Sequence, residues 1–187
     1  MLKVNTEWAM LSLTAPECEI DLQQAATWLR KAAVNGDPKG QYEFGLLFIH
    51  PDYPKRNEEE AFRWIRLSAI AGFAPAQYQL ALFYQAGEGT LASYEEAFTW
   101  ARRAAAQGEE KALLLLASLY RFGAGTAANI TAAYAIASYL SGTENPNAAA
   151  LLQTLEPQIA AGDRARVQKM LSSTKGALEL IENISTL

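Results

Sequence analysis

The chain has 187 residues, half of them apolar, and its 16 Lys and Arg against 20 Asp and Glu leave a formal net charge of -4. That composition can bury a core and excludes an intrinsically disordered chain, while the mild acidity argues against a nucleic-acid footprint, which needs clustered cations. A single cysteine, Cys18, excludes an intrachain disulfide and favours a reducing compartment, and no apolar run approaches the ~18 residues of a membrane helix.

In chain order, MLKVNTEWAMLSLTAPECEI has Asn5, Thr6, Glu7 and Ser12 interrupting any signal-like apolar stretch, and its TEWAMLS segment reads as a helix over 4–13. A partner helix follows over 21–35 and carries Ala25 and Trp28. In DPKGQYEFGLLFI, Tyr42, Gly45, Leu46 and Ile49 fall at helical spacing behind a first-turn Pro38, which predicts a helix over 38–49. In NEEEAFRWIRLSAIAG, Ala61, Trp64, Ile65 and Ser68 share that spacing, with Asn57 as N-cap, Glu60 three residues on and Gly72 as left-handed stop; this predicts a helix over 57–71. Further helices are predicted over 74–86, 93–107, 110–122 and 129–141. Pro146 then opens another helix of the first kind in NPNAAALLQTL, and two charged, less regular helical segments run through PQIAAGDRARVQKMLSS and TKGALELIENIST.

These helices repeat with a period of 36: Trp28, Trp64 and Trp100, then Ile136; Gly36, Gly72 and Gly108; Ala25, Ala61, Ala97 and Ala133; Ala9, Gly45, Ala81 and Ala117; Phe48, Tyr84 and Tyr120. Each period holds a helix A and a helix B that cannot bury their apolar faces alone and must stack on their neighbours. The small column at 45, 81 and 117 allows helix B a close approach, and the tryptophans are expected to fill the space between repeats. The period also decides the glycine-rich stretch AGEGT at 86–90. A phosphate cradle opens a helix directly and supplies Lys followed by Ser or Thr. AGEGT follows a helix, lacks that pair and recurs as GAGT at 123–126, so it is a turn in which Gly87 and Gly123 take positive φ.

The stretch GFAPAQYQLALFYQAGEGTLASYEEAFTWARRAAAQG at 72–108 resembles the Sel-one-like repeat family, a relative of the tetratricopeptide repeats. It has the Gly before helix A, the aromatic and small residues of helix A, the G-x-G turn, the acidic-Ala pair and the closing W-x-x-x-A-A-x-x-G. The resemblance extends over about residues 4–142, with PDYP at 51–54 and APEC at 15–18 where the family has its glycine turn, and Ile136 in place of Trp. It implies an all-α, right-handed α-solenoid of antiparallel helix pairs, with repeats over 4–36, 37–72, 73–108 and 109–142 and a helical C-terminal cap over 143–187. It also implies binding rather than catalysis: a bacterial adaptor or scaffold in signalling or host interaction, or an immunity protein that neutralises a secreted toxin.

The inventory of reactive residues agrees. His50 is the sole histidine, so a Ser-His-Asp or His-based metal site would have to be built around it, and its place at the end of a helix A suits capping or partner contact. Glu58, Glu59, Glu60, Glu95 and Glu96 stand in first turns of B helices, where they complement the helix dipole. Arg30, Lys31, Arg63, Arg66, Arg102 and Arg103 lie along the B helices as a solvated convex face; stacking could align them into a weak anion-binding stripe, which the glutamates of the same helices oppose. No catalytic residue, cofactor or metal site, and neither nucleic-acid nor membrane binding, is expected, and the chain is expected to be cytoplasmic, or periplasmic if a signal segment was removed.

In tetratricopeptide-like superhelices the A helices line the concave surface, so the family implies a protein or peptide partner there. Carried over by position, its contacts are Tyr42, Glu43, Leu46 and His50; Tyr78, Gln79, Leu82 and Gln85; and Leu114, Leu115, Ser118, Arg121 and Phe122, with Lys39, Ile49, Pro75 and Lys111 beside them and Glu7 and Met10 in the first repeat. Tyr42 and Tyr78 also fit as core aromatics. A different class of function is glycan or peptidoglycan binding or hydrolysis, with Glu43 or Glu7 beside stacking aromatics.

Overall fold

The computed structural model describes residues 22–143 and 145–187, and every regular element among them is a helix. They are α1 (Leu22–Val34), α2 (Pro38–Leu47), α3 (Glu58–Ile70), α4 (Ala74–Ala86), α5 (Tyr94–Ala106), α6 (Glu110–Phe122), α7 (Ile130–Ser141), α8 (Pro146–Leu155) with a 3-10 turn (Glu156–Gln158), α9 (Ala161–Ser173) and α10 (Ala177–Ile184). The expected all-α, paired-helix architecture is therefore present, while the helix expected over 4–13 lies outside the described residues. Helices start where the side chains can cap them. Asn57, Ser93 and Asn129, one period apart, accept from the backbone N–H of Glu60, Glu96 and Ala132 and open α3, α5 and α7. Each such cap is worth ~1 kcal/mol.

The chain divides into two units, up to Ala92 and from Ser93 to Leu187. In the first, α1 packs on α2, α2 on α3 and α3 on α4. Its core joins Leu29, Ala33, Phe44, Leu47 and Tyr53, with Phe48 and Trp64 packed against them. Phe44 meets Phe48 and Trp64 edge-on with ring centroids 5.1 and 5.2 Å apart, and Phe48 meets Tyr53 at 5.7 Å. Tyr53 shows why PDYP can replace a glycine turn: it holds the register of Gly89 and Gly125, but its ring turns inward and fills the core.

Of the three repeat tryptophans Trp100 is buried, whereas the other two depart from expectation. Trp64 packs inside its own repeat on Phe44, because the close approach at Gly45 seats α3 on α2, and Trp28 remains 43% exposed. A glutamine column, by contrast, has a structural role that its sequence does not announce. Gln41 and Gln77 reach back to donate to the carbonyls of Ala33 and Ala69, in the last turns of α1 and α3; these carbonyls also accept from the backbone N–H of Gly36 and Gly72.

In the second unit α5 packs on α6, α6 on α7 and α7 on α8, so Pro146 does open a further stacked helix. The chain then doubles back, with α9 on α7 and α10 on α5 and α7. Residues Ala132 through Ala137 of α7 are consequently all buried, which explains why this helix loses the polar stripe of the other B helices.

Candidate functional site

Helix packing consumes one part of each A helix and leaves another. On α2, Phe44, Gly45 and Leu47 are buried; on α4, Ala76, Leu80, Ala81 and Phe83; on α6, Leu113, Leu116, Ala117 and Leu119. The predicted contact residues fall between them. Tyr42, Glu43 and Leu46 on α2, His50 just beyond it, Tyr78, Gln79, Leu82 and Gln85 on α4, and Leu114, Leu115, Ser118 and Arg121 on α6 are all half-buried, and Phe122 is 70% exposed. Three columns are thus repeated at 36-residue spacing in one burial class: Tyr42, Tyr78 and Leu114; Glu43, Gln79 and Leu115; Leu46, Leu82 and Ser118. Glu7 and Met10 lie outside the described residues.

The members differ in how firmly they are held. The Tyr42 ring packs edge-on against Phe73 at 5.5 Å, which ties it partly to the core. The Arg121 guanidinium lies 5.0 Å from the Phe122 ring. Nδ1 of His50 accepts from the backbone N–H of Asp52 at 3.3 Å, so this imidazole closes the turn after α2.

Burial pushes the Glu43 carboxyl up from the ordinary glutamate range, and the Lys39 charge one turn earlier opposes that only in part. A carboxyl raised in this way holds its proton more tightly folded than unfolded, so its contribution is complete at low pH and is lost as pH rises through the folded value. Glu43→Gln should therefore stabilise the protein at pH 7.5, and the gain should vanish below about pH 4. Thermal melts at the two pH values check this; an equal gain at both would contradict it.

Among the described residues no three His, Cys, Asp or Glu side chains converge as metal ligands, and no helix is long and apolar enough to cross a membrane. Glu58, Glu59 and Glu60 stand in the first turn of α3, and Glu95 and Glu96 in that of α5.

The Sel1 repeat matches four consecutive segments, 12–37, 38–73, 74–109 and 110–138. The chain belongs to the Sel1 repeat family. Its fold is that of c5321, a protective antigen of uropathogenic Escherichia coli with an SLR fold, at a TM-score of 0.82 and 23% identity over 96% of this chain and 39% of that one. A Sel1 repeat protein from Oxalobacter formigenes is similar at a TM-score of 0.70 and 27% identity over 78% of this chain and 60% of that one. Helicobacter pylori cysteine rich protein B is similar at a TM-score of 0.56 and 17% identity, covering 71% of this chain and 95% of that one. The chain thus spans about two fifths and three fifths of the first two proteins. Among curated protein sequences none matches it. Sel1 repeats form a scaffold that generally mediates protein interactions, and the structural neighbours are bacterial.

Proposed function

We propose that this Sel1 repeat protein is a non-catalytic binding module that takes a protein or peptide partner on the faces of its A helices. The observation that carries the reading is the set of half-buried columns on α2, α4 and α6, left over in the same register after helix packing is complete. They combine aromatic and aliphatic anchors with Glu43, and Arg121 lies beside them on α6; aromatics and arginine dominate interface energies. Partial burial also limits their rotamers, so less side-chain entropy is lost on binding.

The test starts from the partner that co-purifies with the tagged full chain. Tyr78→Ala combined with Leu82→Ala, and separately Leu115→Ala combined with Arg121→Ala, should each weaken that partner's binding at least ~30-fold, about 2 kcal/mol, with helical content unchanged. Undiminished binding in both variants would remove the A-helix assignment. The identity of the captured protein, a secreted toxin or a signalling component, separates an immunity protein from an adaptor.

A further inference from the structure

Helix α10 shows how the outer face of a B helix accepts another helix. Its Leu180, Ile181 and Ile184 are buried, and Leu178, Ile181 and Glu182 close a cleft over Phe98, Thr99, Arg102 and Arg103 of α5. There the Arg102 guanidinium donates to Oγ of Ser185 at 3.0 Å. Two periods earlier in the sequence, α1 carries the same face. Thr27, Arg30 and Lys31 stand in register with Thr99, Arg102 and Arg103. The Lys31 ammonium lies 4.6 Å from the Trp28 ring, as the Arg103 guanidinium lies 4.5 Å from Trp100.

One position differs. Ala26 stands where α3 and α5 carry Phe62 and Phe98, whose rings close edge-on against Tyr84 and Tyr120 at 5.5 and 5.1 Å. Without that ring α1 keeps a cleft of about 530 Å³, bounded by Thr27, Arg30 and Lys31 on one side and by Phe48, Tyr53 and Lys55 on the other. Apolar rings therefore floor a groove rimmed by three cations, and none of the three is ion-paired to another described residue. The helix that covers the matching face of α5 alternates aliphatic residues with Glu179 and Glu182.

We propose that the α1 cleft binds an acidic amphipathic helix of a partner protein. An aliphatic side chain occupies the space that Ala26 leaves, and the carboxylates of the helix face Arg30, Lys31 and Lys55. This cleft lies between α1 and the turn after α2 and uses none of the A-helix column residues, so it serves a second partner segment.

The probe is a labelled peptide of residues 174–187, TKGALELIENISTL, added to the intact chain and followed by fluorescence anisotropy. Saturable binding that weakens as salt rises is expected. Ala26→Phe, which restores the ring of the next two repeats, and Arg30→Glu should each lower affinity at least ~10-fold, with the melting transition preserved. A peptide carrying Glu179→Lys and Glu182→Lys should bind at least ~10-fold more weakly than the native one. Absence of saturable binding, equal affinity in Ala26→Phe and Arg30→Glu, or equal binding of the charge-reversed peptide would overturn the proposal. So would binding that is lost in Arg102→Glu instead, since that marks exchange with the chain's own α10 on α5.

Discussion

Gly125→Ala should destabilise the protein by at least about 3 kcal/mol, whereas the same change at Gly108 should cost only about 1 kcal/mol. Both glycines have positive φ, +72° and +88°. Alanine at either position carries the steric cost of the left-handed region, and at Gly108 nothing else is added, because a Cβ there meets no atom within 4 Å. At Gly125 a Cβ would stand 2.0 Å from the carbonyl oxygen of Tyr94 and 2.3 Å from its carbonyl carbon. Tyr94 is the first residue of α5 and sits directly behind the Ser93 cap, so the obstacle is anchored backbone that cannot rotate away. The glycine turn after α6 and the first turn of α5 would have to separate. Gly89 repeats the arrangement one period earlier, with its Cβ position 2.2 Å from the carbonyl oxygen of Glu58. Urea midpoints at constant m measure the effect. Equal losses at Gly125 and Gly108 would show that backbone conformation alone sets the requirement.

A second large effect is expected between α2 and α3. A Cβ on Gly45 would lie 2.7 Å from Cγ1 of Ile65, which is fully buried. Gly45→Ala alone should cost about 1–3 kcal/mol through overpacking, and Ile65→Ala alone about 2–5 kcal/mol through the cavity it leaves. The double substitution should be more stable than their sum by ~1–2 kcal/mol, because each change relieves what the other creates. The chain already contains this solution: one and two periods on, the residues in register with Gly45 and Ile65 are Ala81 and Ala101, then Ala117 and Ala137. A denaturant series on the four proteins of the cycle gives the coupling directly, and strict additivity would contradict the contact.

Much of this fold was legible because the 36-residue register is unbroken. Proline, N-cap and glycine positions set the described helices to within a residue or two, and the small column at Gly45 marks the close approach of α3. What stayed hidden depends on three-dimensional neighbours. PDYP reads as a stiff turn, and only packing shows that Tyr53 points into the core. Ile136 in place of Trp fits a position beside the cap, but only packing shows that α9 and α10 fold back on α7 and help bury it. AGEGT reads as a turn from its first glycine, yet the tighter contact is made by the second, Gly89, against Glu58, which is 31 residues away. In the candidate site, the A-helix columns follow from periodicity, since residues not used in helix contacts recur with the repeat. The cleft on α1 does not: Ala26 breaks the Phe62 and Phe98 column in the sequence, but only packing shows that α1, Phe48, Tyr53 and Lys55 bound an open groove beside it.

The binding reading is tested most directly by hydroxyl-radical footprinting of the full chain with and without its co-purified partner. Protection should concentrate on Tyr78, Leu82, Leu114 and Phe122 of the A helices, while the exposed B-helix residues Leu67 and Ile70 keep their reactivity. Protection of Leu67 and Ile70 with unchanged reactivity at Tyr78, Leu82, Leu114 and Phe122 would contradict the account.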